Sequence, residues 1–135
     1  MAELQILEGP ISVDTYRHLR SICGLSDKTV KAAETGLKNS VYSVMAKQAG
    51  KVIAMGRIVG DGGCFCQIVD ICVHPEHQGI GIGKMIMENL VRFIRRALPE
   101  SCFISLIADG NAAFLYEKFG FKDTLPESKG MYLRR

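Results

Sequence analysis

No stretch of this sequence approaches the roughly 18 consecutive apolar residues of a membrane span. The opening MAELQILEGP lacks the basic region and long apolar stretch of a secretory signal. No run of five or more basic residues occurs. Arg95-Arg96 and Arg134-Arg135 are isolated pairs on a chain of net charge +3, which argues against a nucleic-acid patch. No linker, low-complexity segment or internal repeat divides the 135 residues, so the expectation is one domain over residues 1–135. Such a chain buries about two thirds of its unfolded surface and needs no metal or disulfide staple. Its five cysteines are an odd number without a signal peptide, which predicts reduced thiols and a cytoplasmic location.

What is present is a regular alternation of element signals. LQIL is a short strand candidate. A helix follows from Ser12, a plausible cap, to a stop at Gly24, and SDKTVKAAETGLKN predicts a second, more polar one. VYSVMAK and KVIAMGRIVG, separated by QAG, predict a hairpin; Gly60–Gly63 predicts a further turn into the strand CFCQIVDICVHP. KMIMENLVRFIRRAL has helical periodicity, with Met85, Leu90, Ile94 and Leu98 near one stripe. CFISLIA is a buried-type strand, NAAFLYEKFG a short helix, and FKDT and MYLR short closing strands. The order βααβββαβαββ is that of a mixed α/β domain, with a right-handed crossover expected in its βαβ unit.

The densest signal is HPEHQGIGIGK, residues 74–84, in which Gly79, Gly81 and Gly83 alternate with isoleucines ahead of a helix. A dinucleotide fingerprint fails because its last glycine position holds Lys84. A nucleoside-triphosphatase loop fails because Gly79 and Gly83 enclose three residues and Met85 follows Lys84. A Gly-rich strand-to-helix turn remains. The first N–H groups of a helix lack internal partners and lie at its positive end. Glycine lets an anion come close to them, and consecutive amides suit a pyrophosphate.

Gln78-Gly79-Ile80-Gly81-Ile82-Gly83 resembles the Q/R-x-x-G-x-G/A motif of the GNAT superfamily of CoA-dependent N-acetyltransferases. IADGNAAFLYEKFGF resembles that family's second signature, an Asn followed by a helix carrying Tyr and then Gly-Phe. The resemblance runs from about Val41 to the C-terminus. It implies a single GNAT-like α/β domain (mixed α+β): a mostly antiparallel twisted sheet, splayed between two parallel strands, with about four flanking helices. By the same resemblance acetyl-CoA is the co-substrate. The amides of Gly79, Ile80, Gly81, Ile82, Gly83 and Lys84, with Gln78, would hold its pyrophosphate. Backbone groups of Ile71, Cys72 and Val73 would pair with the pantetheine arm, Asn111 would bond that arm or approach the thioester, and Tyr116 would sit by the sulfur.

Acetyl transfer needs a neutral amine, a stabilised carbonyl oxygen and a protonated leaving thiolate. A backbone N–H at Ile71 or Cys72 could serve the oxyanion. Tyr116 is a sensible proton donor, because a tyrosine pKa of about 10 lies above that of a thiol, about 8.5; its structural alternative is a half-buried helix aromatic. Asp70 is the candidate general base, or else a carboxylate that orders a loop, and Gln67 cannot be a base. Cys72 raises a covalent route, but buried strand cysteines are usually inert, so direct attack in a ternary complex is expected. Cys64-x-Cys66 with His74 and His77 does not have the usual zinc spacing of two to four residues between cysteines, so no metal is expected.

Arg57, among apolar neighbours, needs either an internal carboxylate or an acidic group on the acceptor. Tyr16, Arg17 and Arg20 could line the same mouth. The expected acceptor is a small primary amine such as an amino acid, with a peptide or protein amine as the alternative. The rival from another class is a non-catalytic acyl-CoA-binding module. A homodimer through an exposed strand at the C-terminus or the end of the meander is compatible with the sequence.

Overall fold

A computed structural model describes residues 3–135. Its first element is β1 (Leu4–Glu8), followed by α1 (Val13–Ile22) and α2 (Val30–Lys38). Both helices begin as their sequences dictate. The Ser12 hydroxyl accepts from the Thr15 amide at 3.2 Å, and Thr29 accepts from Ala32 at 3.1 Å, each satisfying one orphan donor of the first turn. β2 (Tyr42–Gln48) and β3 (Lys51–Gly60) form the expected hairpin, turning on Ala49 and Gly50, both at positive φ. β4 (Phe65–Val73) returns antiparallel after a turn in which Asp61 accepts three amides, from Gly63, Cys64 and Phe65.

α3 (Ile82–Ala97) then crosses over to β5 (Phe103–Leu106), which pairs parallel with β4. α4 (Ala113–Glu117) follows a 3-10 turn at Gly110–Ala112. The sheet is five-stranded in the order β1-β2-β3-β4-β5, antiparallel except for the last pair.

α3 covers one face through Ile82, Ile86, Met87 and Leu90, against Val44, Ala54, Ile58 and Ile68. Each such side chain contributes about 1.5–3 kcal/mol by burial. Met85, expected on this stripe, is only half-buried: five residues before Leu90, it lies about 140° around the helix from it, and Ile86, four before Leu90, takes the inward position. Gly56 permits the close approach: a Cβ there would lie 2.7 Å from Ile86 and 3.0 Å from Leu90. α1 and α2 cover the opposite face, where Tyr16, Leu19 and Ala33 pack on Met55 and Cys72.

The two closing strands expected at FKDT and MYLR do not form. Residues 121–135 form no strand or helix, only a turn at 125–127, and β5 keeps one edge without a strand partner among the described residues. Strand propensity alone does not make a strand: the backbone must also run in register along an edge, and residues 121–135 do not do so along β5.

Candidate active site

β4 and β5 pair over only four residues, from Phe65–Phe103 to Ile68–Leu106. Beyond Ile68 the two strands part, and between them opens a cleft of about 690 Å³. Gln67–Ile71 form one wall. Leu106, Ile107, Asp109, Ala112 and Tyr116 form the other, and Tyr16, Arg20 and the loop from Gly24 to Lys28 close the end under α1.

At the far end of β4 stands the glycine turn. Gly79 and Gly81 adopt φ of 81° and 91°, the left-handed region that glycine enters without steric cost, and nothing occupies the space where their Cβ atoms would be. Gly83 instead packs α3 against Leu115 and Val73. Among the described residues, no amide from Gly79 to Lys84 donates to a protein acceptor; the first to do so is Met85, to the Gly81 carbonyl at 3.1 Å. An open row of donors at a helix N-terminus fits a diphosphate. Gln78 braces the turn from outside: its Nε2 donates to the Val73 carbonyl at 3.0 Å, where the Cys23 thiol also donates. The Val73 carbonyl, expected to meet the pantetheine arm, therefore already has two internal partners, and Gln78 serves the loop.

The cleft floor is set by a bulge. Arg57 faces Val69 and Met55 faces Cys72, so Asp70 and Ile71 together oppose Gly56, and Asp70 takes φ of 59°. A bulge leaves its extra residue outside the ladder and re-aims a side chain. Ile68 before the bulge and Ile71 and Val73 after it pack with the α3 side, while Asp70 turns to the α1 side.

There Asp70 accepts from Arg20 Nη1 at 2.5 Å, from Arg57 Nε at 2.8 Å and from the Tyr16 hydroxyl at 2.9 Å, with its side chain 6% exposed. Both guanidiniums also lie over the Tyr16 ring. Burial, and next the Asp70 carboxylate, push the Tyr16 hydroxyl above its usual range. For each of two residues this geometry favours one of the two readings that the sequence left open. Asp70, tied by two cations and a hydroxyl, has the arrangement of an anchor rather than of a free base. Arg57, for which an internal carboxylate and an acidic group on the acceptor were both open, meets the internal carboxylate and also donates to Gly36 O and Ser40 Oγ.

Tyr116 stands on the opposite wall, half-buried, its ring edge-on to Phe121. Burial and then the negative charge of Asp109 raise its pKa, so it keeps its proton at neutral pH. Asn111 is exposed in the turn before α4 and is not among the cleft-lining residues. Cys72 is buried under α1; burial and then Cys23 push its thiol far up, and it lies in the apolar cluster with Tyr16 and Leu19. Its expected part in cofactor binding is left to its backbone. His74, Glu76 and His77 bring possible ligand atoms within 4.8 Å of one another, while Cys64 and Cys66 lie outside that group. His18 is exposed.

Asp109 and Lys28 are cleft residues that sequence reasoning missed. Asp109 could have been suspected from its place two residues before Asn111. Lys28 reaches the cleft only through the path of the loop after α1.

Residues 38–123 match the family model of the acetyltransferase (GNAT) domain. An uncharacterized N-acetyltransferase of Pyropia yezoensis is 31% identical over 121 residues, covering 84% of this chain and 68% of that protein. A crystal structure from meticillin-resistant Staphylococcus aureus, described as a "Probable Acetyltransferase", is 41% identical, with a TM-score of 0.92 over 98% of this chain and 100% of that one. A Clostridium acetobutylicum acetyltransferase solved with acetyl-CoA shares the fold, with a TM-score of 0.71 at 18% identity over 98% of this chain and 96% of that one. The match to the domain model over most of the chain, with relatives of 31% and 41% identity, gives the cleft and its glycine turn their setting: the chain belongs to the GNAT family and is an acetyl-transferring enzyme.

Proposed function

We propose that this enzyme moves an acetyl group from acetyl-CoA to the primary amine of a small molecule, by direct attack within a ternary complex. The observation that carries the reading is the unpartnered amide row from Gly79 to Lys84, which follows the strand that forms one wall of the cleft, while the other wall carries a tyrosine that keeps its proton. Acetyl-CoA, the co-substrate, supplies an activated acyl group with a thiolate leaving group.

The chain's residues divide the work. The amides of Gly79–Lys84 bind the diphosphate and fix the register of the arm. The exposed edge of β4 beyond Ile68 lies alongside that arm, and the backbone N–H groups at the bulge face the developing oxyanion. The amine nitrogen bonds to the carbonyl carbon, the carbon–sulfur bond breaks, and Tyr116 gives its proton to the departing sulfur. Asp109, a cleft carboxylate without an ion pair among the described residues, is placed to accept the amine's proton directly or through water. Cys72 takes no covalent part, because its thiol is buried and held protonated.

The acceptor enters under α1. The cleft volume suits a small ligand. With Arg57 committed to Asp70, Lys28 is the cation left to meet an acidic group on the acceptor. The test is a thiol-release screen with acetyl-CoA against amino acids, polyamines, aminoglycosides and short peptides, repeated with Tyr116→Phe. Turnover with a small amine, reduced about 10²–10⁴-fold in the variant with little change in acetyl-CoA affinity, is expected. Turnover confined to peptides, or an unimpaired variant, overturns the reading.

A further inference from the structure

Among the described residues, one group of metal-ligating side chains stands outside the cleft. His74, Glu76 and His77 each bring a ligand atom to within 4.8 Å of the others, and none of the three lines the cleft. The cysteines whose spacing argued against a metal take no part in this group; Glu76 supplies the third donor in their place.

Short-range geometry builds the cluster. Pro75–His77 is a single 3-10 turn after β4, with His74 as its cap. Residues three apart eclipse in such a turn, which sets His74 and His77 on one side. Their rings stand edge to face with centroids 5.5 Å apart. The backbone beneath them is held at several points. Pro75 presets its own φ, the His77 amide donates to the His74 carbonyl at 2.8 Å, and the His74 amide donates to the Ile53 carbonyl on β3 at 2.7 Å. Tetrahedral zinc, with bonds of about 2.0–2.1 Å, sets its donors about 3.4 Å apart. Donors already within 4.8 Å reach that spacing by a small rotation of side chains that are not packed in the core.

One contact opposes ligation. The Glu76 amide donates to His74 Nδ1 at 3.1 Å, so the neutral ring carries its proton on Nε2. Ligation through Nε2 moves that proton to Nδ1, and ligation through Nδ1 displaces the amide. Either way one hydrogen bond in an exposed turn passes to water, a small loss beside the metal bond gained.

We infer that His74, Glu76 and His77 form a binding site for a divalent ion of the zinc class. Two imidazoles and one carboxylate select zinc and its transition-metal neighbours over magnesium and calcium. Three protein donors leave a fourth position to water. The site lies on the loop between β4 and the glycine turn, outside the cleft, so it is read by metal binding itself rather than by turnover.

The experiment titrates zinc chloride into the untagged full chain, freed of metal by a chelator, in a calorimeter, with magnesium chloride as the comparison. One zinc per chain is expected, and no magnesium at the same concentrations. Even outer-shell partners of a metal are worth about 10–100-fold in affinity, so His77→Ala and Glu76→Gln should each weaken zinc by about tenfold or more. Circular dichroism verifies that each variant is folded; should one fail, the other and the following spectrum decide. Native thiols are the competing ligands, Cys64 above all because it is exposed. Cobalt(II) separates the two: visible d–d bands are expected without the near-ultraviolet band of a thiolate ligand, and Cys64→Ser should leave zinc affinity unchanged. No stoichiometric zinc binding, equal binding of magnesium, an affinity untouched by both variants, or a thiolate band that vanishes in Cys64→Ser overturns the inference.

Discussion

Substituting Asp70→Asn separates the anchor from the base. The change keeps the shape of the side chain but removes the charge that Arg20 and Arg57 share, and it presents one carbonyl oxygen where two carboxylate oxygens accepted three donors. The two guanidiniums are themselves nearly buried, with side chains 10% and 8% exposed, so water cannot replace the lost partner. Removing one member of such a buried cluster costs about 3–5 kcal/mol. For a chain of this size, that lowers the melting temperature by about 10–18 °C. The loss extends beyond stability, because the same side chain holds Tyr16 and Arg20, both of which line the acceptor end of the cleft. The expected kinetic signature is a raised KM for the amine, with the shape of the pH–rate profile retained at a temperature where the variant is folded. Calorimetry and initial-rate kinetics from pH 6 to 9 read both quantities. A variant that melts with the wild type but loses the limb of the pH profile contributed by a base would refute the reasoning and restore Asp70 as the proton acceptor.

Two other expectations follow from the geometry. Gly81→Ala places a Cβ at φ of 91°, a strain of about 1–2 kcal/mol, and puts it beside the amide row. The KM for acetyl-CoA should rise about tenfold or more while that for the amine changes little, and an unchanged acetyl-CoA KM would place the diphosphate elsewhere. Tyr16, Tyr42, Tyr116 and Cys72 all have pKa values raised in the folded chain, chiefly by burial. Each is neutral when protonated, so the unfolded chain ionises first as the pH climbs. Their stabilisation is complete below the ordinary thiol and phenol values and is lost above them, so the melting temperature should hold through neutrality and fall from about pH 9 upward; a flat profile to pH 11 would contradict this.

Much of this protein was settled by short-range signals. The Ser12 cap, the Ala49-Gly50 hairpin turn and the apolar stripe of α3 each depend on residues within a few positions of one another, and the structure shows each formed. The glycine turn was legible for the same reason. Its need for positive φ and missing Cβ atoms is written into the residues themselves, and its amides stay open because a helix starts there.

Tertiary structure decided what depends on which distant groups meet. Strict alternation along β4 would put Asp70 on the same face as Ile68; the bulge opposite Gly56 reverses the phase and sends the carboxylate to Arg20 and Arg57 instead. No local pattern announces a bulge, since it arises from the fit between two strands. The same dependence explains the closing strands: FKDT and MYLR carry strand-forming residues, but a strand exists only against an edge that accepts it, and here the neighbouring chain path leaves the β5 edge unfilled. Sequence fixes what each segment can become, and the long-range fit fixes which partner it finds, because ion pairs and strand ladders are contacts between residues far apart along the chain.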